Sequence, residues 1–137
     1  MSEQFYKPLN PKTYLDLATE LSSRTEAAAK RVAADRAYYA AFLSSRDLLA
    51  SKGYIAPYYN LDDHKYVAEN LKDKNVLGSF GNDENRLRLA RNLITYDTRD
   101  ISSAKQHACS LDWMLKTART IIEKVEALPP NPQAQAR

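Results

Sequence analysis

With 137 residues, 44% of them apolar and 27% charged, the chain has the length of one domain and the composition of an ordinary water-soluble globular protein. Its three glycines, Gly53, Gly78 and Gly81, allow no glycine-rich dinucleotide or P-loop motif and argue against a turn-rich β-sandwich. The formal charge of +3 suits an RNA or phosphate ligand, and suits a plainly solvated surface equally well.

Cys109 is the single cysteine, which excludes an internal disulfide framework and a zinc knuckle. Neither His64 nor His107 follows a glutamate by three residues, so the Glu-x-x-His repeats of di-iron bundles are absent. No metal and no cofactor is expected. No apolar run approaches the roughly 20 residues that span a bilayer, and the opening MSEQFYKPLN lacks an apolar signal segment. The expected setting is cytoplasmic, without a membrane partner.

Taken in order, the chain reads as helices divided by clear breaks. Asn10-Pro11 starts a helix bearing Tyr14, Leu15, Ala18 and Leu21 as its apolar stripe. Ser23-Arg24-Thr25-Glu26 fits a capping box, and the long helix after it runs to Gly53, a residue suited to a left-handed cap. Residues 38–43 are apolar on every side, so the middle of this helix should be surrounded by others. Arg36 shares a face with Val32, Tyr39, Ala40 and Leu43. A charge within such a stripe requires a partner, either a carboxylate on another helix, with Asp97 the nominee, or a phosphate.

Residues 54–61 form a Pro-broken aromatic loop. Its Tyr54, Tyr58 and Tyr59 either pack over the end of the bundle, the favoured reading, or stack on unpaired bases. Asp62 or Asp63 caps a short helix through Val67 and Leu71, and after the loop DKNVLGSFGN a helix runs from Asp83 to Tyr96. The last helix, Ile101 to Leu128, carries a seam of Ile101, Ala104, Ala108, Leu111, Leu115, Ala118, Ile122 and Val125, the pattern of helix-on-helix packing. His107, Met114, Ile121 and Leu128 widen that seam on one side. The expected fold is all-α, an up-and-down bundle of about five helices in one domain over residues 1–128. The tail 129–137, PPNPQAQAR, is expected to be disordered.

The helix that can carry chemistry is DENRLRLARNLITYD. At about 100° per residue, Leu87, Leu89, Ala90, Leu93 and Ile94 fill roughly half of its circumference. Arg88, Arg91, Asn92 and Thr95 form a polar wedge on the other side, with Tyr96 at the far edge of the apolar arc. Arg88 neighbours both Arg91 and Asn92 on the helix surface. Two guanidiniums, an amide and two hydroxyls together make a phosphate clamp, because arginine offers forked donors to phosphate oxygens. The plainer alternative is an amphipathic helix whose polar face meets water.

The string Asp35-Arg36-Ala37-Tyr38-Tyr39-Ala40-Ala41-Phe42, followed by Arg91-Asn92-Leu93-Ile94-Thr95-Tyr96-Asp97, resembles the HEPN superfamily, small all-α domains of toxin–antitoxin and other defence systems. The resemblance covers about residues 9–127. It implies an RNA-binding protein and candidate metal-independent endoribonuclease, in which Arg91 steadies the charged phosphate, Asn92 is the polar residue after it, and Arg88, Arg36 and Thr95 make further RNA contacts. The active family motif ends in histidine, which helps the ribose 2′-OH attack the adjacent phosphate. Here Tyr96 stands near that place, as in the family's Tyr-ending branch, and a phenol with an ordinary pKa of about 10 is a poor general base at neutral pH. The alternative implied by the same resemblance is a non-catalytic module that binds a nucleotide or a protein, such as a nucleotidyltransferase antitoxin or another defence-complex protein. A helical adaptor in a ribonucleoprotein is the third reading.

The resemblance also implies a homodimer, in which two motif helices build one composite site. Arg91 and Tyr96 stand about 140° apart on an ideal helix, so one copy does not aim both at one point. His64 is read as structural, although it is the obvious substitute for the missing base. Cys109 and Trp113 are read as packing residues.

Overall fold

The computed structural model describes residues 7–73, 77–78, 80–99 and 110–135. Among them the chain forms α1 (Thr13–Ser22), α2 (Ala27–Ser51), α3 (Asp62–Lys72), α4 (Phe80–Tyr96), α5 (Leu111–Glu126) and a short α6 (Pro132–Gln135), with no strand. The protein is an all-α bundle. None of these helices is long and apolar enough to cross a membrane.

Helix α2 is the axis of the bundle. Its buried Ala33, Ala34, Ala37, Ala40 and Ala41 present little beyond backbone, so neighbouring helices approach closely on several sides. Helices α1, α4 and α5 all pack along it, and α3 lies mainly against α4. Tyr38, Phe42 and Leu49 of α2 fill the larger gaps together with Leu15, Val67, Leu71, Leu87, Met114 and Ile121. The run 38–43 is enclosed as its composition predicts, with Tyr39 and Leu43 partly exposed.

Helix ends follow the local chemistry only in part. Gly53 adopts φ 82° and closes α2, as a left-handed cap should. The capping box at residues 23–26 is not made. Glu26 is the N-cap without any side-chain cap bond, and the Ser23 hydroxyl instead donates to the Glu20 carbonyl at the end of α1 (2.8 Å). The C-termini of α4 and α5 are closed from a distance. Arg31 of α2 donates to the carbonyls of Ile94 (2.8 Å) and Asp97, while Lys52 donates to those of Val125, Glu126 and Leu128 at 2.6–2.8 Å. Each cation thereby satisfies carbonyls that the helix leaves open and meets the negative end of its dipole.

Four further expectations are corrected. Helix α4 begins at Phe80, three residues early, because Gly81 lies against α3. A Cβ there would stand 2.6 Å from the Lys72 nitrogen and 2.8 Å from the Ala68 carbonyl oxygen. The last helix is not continuous from residue 101. Ser110 has extended backbone and caps α5 by accepting from the Trp113 N–H (3.4 Å); Ile101, Ala104, His107, Ala108 and Cys109 lie outside the described residues.

The buried line of α5 is Met114, Ala118, Ile121, Ile122 and Val125. Leu111 and Leu115 of the expected seam lie only partly within the core, so the inward face is rotated toward the flank. Finally, the tail is anchored where it begins. The Asn131 N–H donates to the Lys52 carbonyl (2.8 Å), its side-chain amide donates to the Gly53 carbonyl (3.1 Å), and α6 follows.

Candidate functional site

The polar wedge of α4 does not face open water. Gly81, Glu84, Leu87, Ala90 and Ile94 form the buried face of α4, whereas Leu89, counted in the apolar arc, is 61% exposed. This rotation brings Arg91 against α2, where only 15% of its side chain is accessible. Arg91 Nε donates to Asp35 Oδ1 (2.7 Å), Nη1 to Asn92 Oδ1 (2.8 Å) and Nη2 to the Tyr39 hydroxyl (3.2 Å). Its guanidinium also lies 5.0 Å from the Tyr39 ring centroid and 5.5 Å from that of Tyr96.

Arg36 joins the same carboxylate. It donates through Nε to Asp35 Oδ2 (3.0 Å), with Nη2 on the same oxygen, and lies 5.0 Å from the Tyr14 ring centroid and 5.2 Å from that of Tyr39. The expected partner on another helix is therefore wrong. The carboxylate is the neighbouring residue on α2, and Asp97 instead receives Arg99 (2.9 Å). One carboxylate neutralises at most one of the two guanidiniums, so the cluster keeps a positive charge. Each Nη of Arg91 also retains an N–H beyond those just named. Arg88, one turn back on α4, forms no hydrogen bond or ion pair with another described residue. Thr95 and Tyr96 are exposed at the end of the helix. Arg91, Arg36, Asn92 and Tyr96 thus come together, and Arg88 and Thr95 stand beside them.

Beneath this cluster runs an aromatic layer that the spacing along α4 did not reveal. His64 of α3 stacks on Phe42 with ring centroids 4.1 Å apart, and lies 6.2 Å from the Tyr39 ring. Burial, followed by the charge of Glu84, drives the Tyr38 phenol upward. It stays protonated and shares a hydrogen bond with His64 Nδ1. Burial first, then the Arg88 and Arg91 charges, push His64 below the ordinary histidine range, so it is neutral at neutral pH. Glu84 is fully enclosed, with neither oxygen hydrogen-bonded among the described residues, and burial alone raises it to about 8. Its proton is retained at pH 7 because an unpaired carboxylate is costly to bury.

Tyr38 and Tyr39 were visible in the sequence as part of the run that is apolar on every side, and Asp35 through the family resemblance. The physical signal that singles out two of them is the four-residue spacing of Asp35 and Tyr39, which sets both on one face of α2. Among the described residues no group of His, Cys, Asp and Glu side chains is placed to hold a metal ion.

Fold and site together define an all-α bundle that carries a cationic, aromatic-lined cluster between its central helix and α4. No protein-family model matches the chain, and no curated protein or solved structure is significantly similar to it.

Proposed function

We propose that the protein is a HEPN-like RNA-binding module of a defence or toxin–antitoxin system, working as a homodimer, with Arg91 and Arg36 as its phosphate contacts. The observation that carries this reading is the convergence of both guanidiniums on Asp35 and on the Tyr39 ring. Such a cluster is pre-ordered, retains positive charge and has unused donors, which are the properties that favour a phosphodiester. The dimer is supported by Leu89, Leu93 and Tyr96, spaced i, i+4 and i+7 on α4, of which Leu89 and Tyr96 are 61% and 71% exposed. A second copy laid along this stripe covers it and brings two Arg91 clusters near one another.

Metal-independent strand cleavage is the catalytic form of this proposal, with Arg91 stabilising charge on the phosphate and Tyr96, assisted by Asn92, nearest the missing histidine's place. One observation favours the second form, a non-catalytic module for RNA, a nucleotide or a nucleotidyltransferase-type partner. Three nitrogens of Arg91 are already engaged by neighbouring side chains, and His64 has committed Nδ1 to Tyr38.

Incubation of a mixed RNA pool with the protein in EDTA separates the two forms. Cleavage gives fragments ending in 2′,3′-cyclic phosphate that disappear with Arg91→Ala and diminish with Tyr96→Phe. Binding without fragments, weakened by Arg91→Ala and Arg36→Ala and falling steeply with added salt, gives the non-catalytic form. Absence of both from folded protein overturns the proposal.

A further inference from the structure

Of the three tyrosines expected to pack over the end of the bundle, Tyr54 does so, half-buried against the core and donating to the Pro129 carbonyl (2.8 Å), whereas the loop before α3 exposes the other two. Tyr58 and Tyr59 are 64% and 68% exposed, and Leu61 beside them is 82% exposed. This presentation is held in place from below. Asp63, completely buried, accepts the Tyr58 N–H on Oδ1 (2.8 Å) and the Tyr59 N–H on Oδ2 (2.7 Å). Tyr59 is the one described residue other than glycine with positive φ, at 58°. A bulky side chain rarely occupies that backbone region, and when it does the surroundings compel it. The loop therefore sets a large ring outward at a position where glycine would be easier.

A cation accompanies that ring. The Arg46 guanidinium, which donates through Nε to Asp47 Oδ1 (3.0 Å) and keeps its two terminal nitrogens unused among the described residues, lies 4.9 Å from the Tyr59 ring centroid and 6.0 Å from that of Phe42. Phe42 stacks on His64, His64 meets Tyr39, and Tyr39 lies under Arg91. An unbroken succession of rings and guanidiniums thus links the loop to the phosphate cluster, with no step longer than 6.2 Å.

We infer that Tyr59 and Arg46 form a stacking platform for an unpaired base of the same RNA strand whose phosphate lies at Arg91 and Arg36. This rests on the proposed RNA-binding role of that cluster. A flat, exposed ring with an adjoining guanidinium takes a nucleobase on its face and a neighbouring phosphate on its edge, irrespective of base identity. A paired base has its faces covered within the helix, so the platform selects single strands.

The test measures fluorescence anisotropy of a short fluorescein-labelled single-stranded RNA, the same strand annealed to its complement, and an abasic ribose-phosphate strand of equal length. Tyr59→Gly removes the ring at a backbone conformation glycine accepts, and Tyr59→Phe keeps it. Tyr59→Gly is expected to weaken binding of the single strand roughly five- to a hundredfold. Tyr59→Phe should retain it, and the duplex and abasic strands should be insensitive to either change. Unchanged affinity with Tyr59→Gly, while Arg91→Ala still weakens binding, overturns the platform and leaves the phosphate cluster standing. Failure of the parent protein to bind any of the strands overturns both. A shift from dimer to monomer with Tyr59→Gly in sedimentation overturns the platform in favour of a contact between copies.

Discussion

Glu84 shows how one side chain can make stability depend on pH. Its carboxyl is enclosed, has no hydrogen-bond partner among the described residues and is raised from 4.5 to about 8. The folded protein holds the proton through the range in which the unfolded chain has released it. Stability from this group is complete below about pH 4.5 and is lost as pH rises toward 8. Replacement by glutamine keeps the shape and abolishes the titration. Glu84→Gln should match the parent near pH 4 and exceed it above pH 8 by an amount on the order of several kcal/mol. Urea denaturation at both pH values measures the difference; a constant difference across the range would falsify the assignment. The sequence presents this residue as one more acid in a first helical turn. Its burial follows from the rotation of α4, which the apolar arc misplaced by treating Leu89 as an inward residue.

Helices α4 and α5 are terminated by cations remote in sequence, and that contribution can be separated from surface charge. Lys52 supplies three donors to the end of α5, whereas Lys12 meets Glu126 across an exposed pair at 3.1 Å. Lys52→Met should cost about 1–2 kcal/mol, and Lys12→Met less than about 1 kcal/mol, as read from chemical denaturation midpoints. Equal effects would show that the long-range cap contributes nothing special. The existence of each helix through Glu126 was legible from apolar spacing, Pro11 and Gly53. The boundaries were not. The capping box at residues 23–26 failed because Ser23 bonds back to α1, and the early start of α4 depends on Gly81 meeting α3, a contact distant from its own local pattern.

Assembly of two copies is where the exposed stripe of α4 makes its prediction. Leu89 contributes little to the core at 61% exposure, so Leu89→Asp should leave the chain folded, as read by circular dichroism, while turning the proposed dimer into a monomer in sedimentation. The counterpart Ile122→Asp, at a buried position, should unfold the protein. A parent that is monomeric at all concentrations would remove the homodimer from the proposed function. The all-α class and the enclosed middle of α2 could both be read from the residues in order. They depend on periodicity and side-chain chemistry, which are local properties. Which face of α4 turns inward, that Arg36 and Arg91 share Asp35, and that Tyr59 faces solvent instead of the core depend on how the helices pack around α2. Side chains far apart in sequence compete there for the same space and the same partners, and no single helix carries that information.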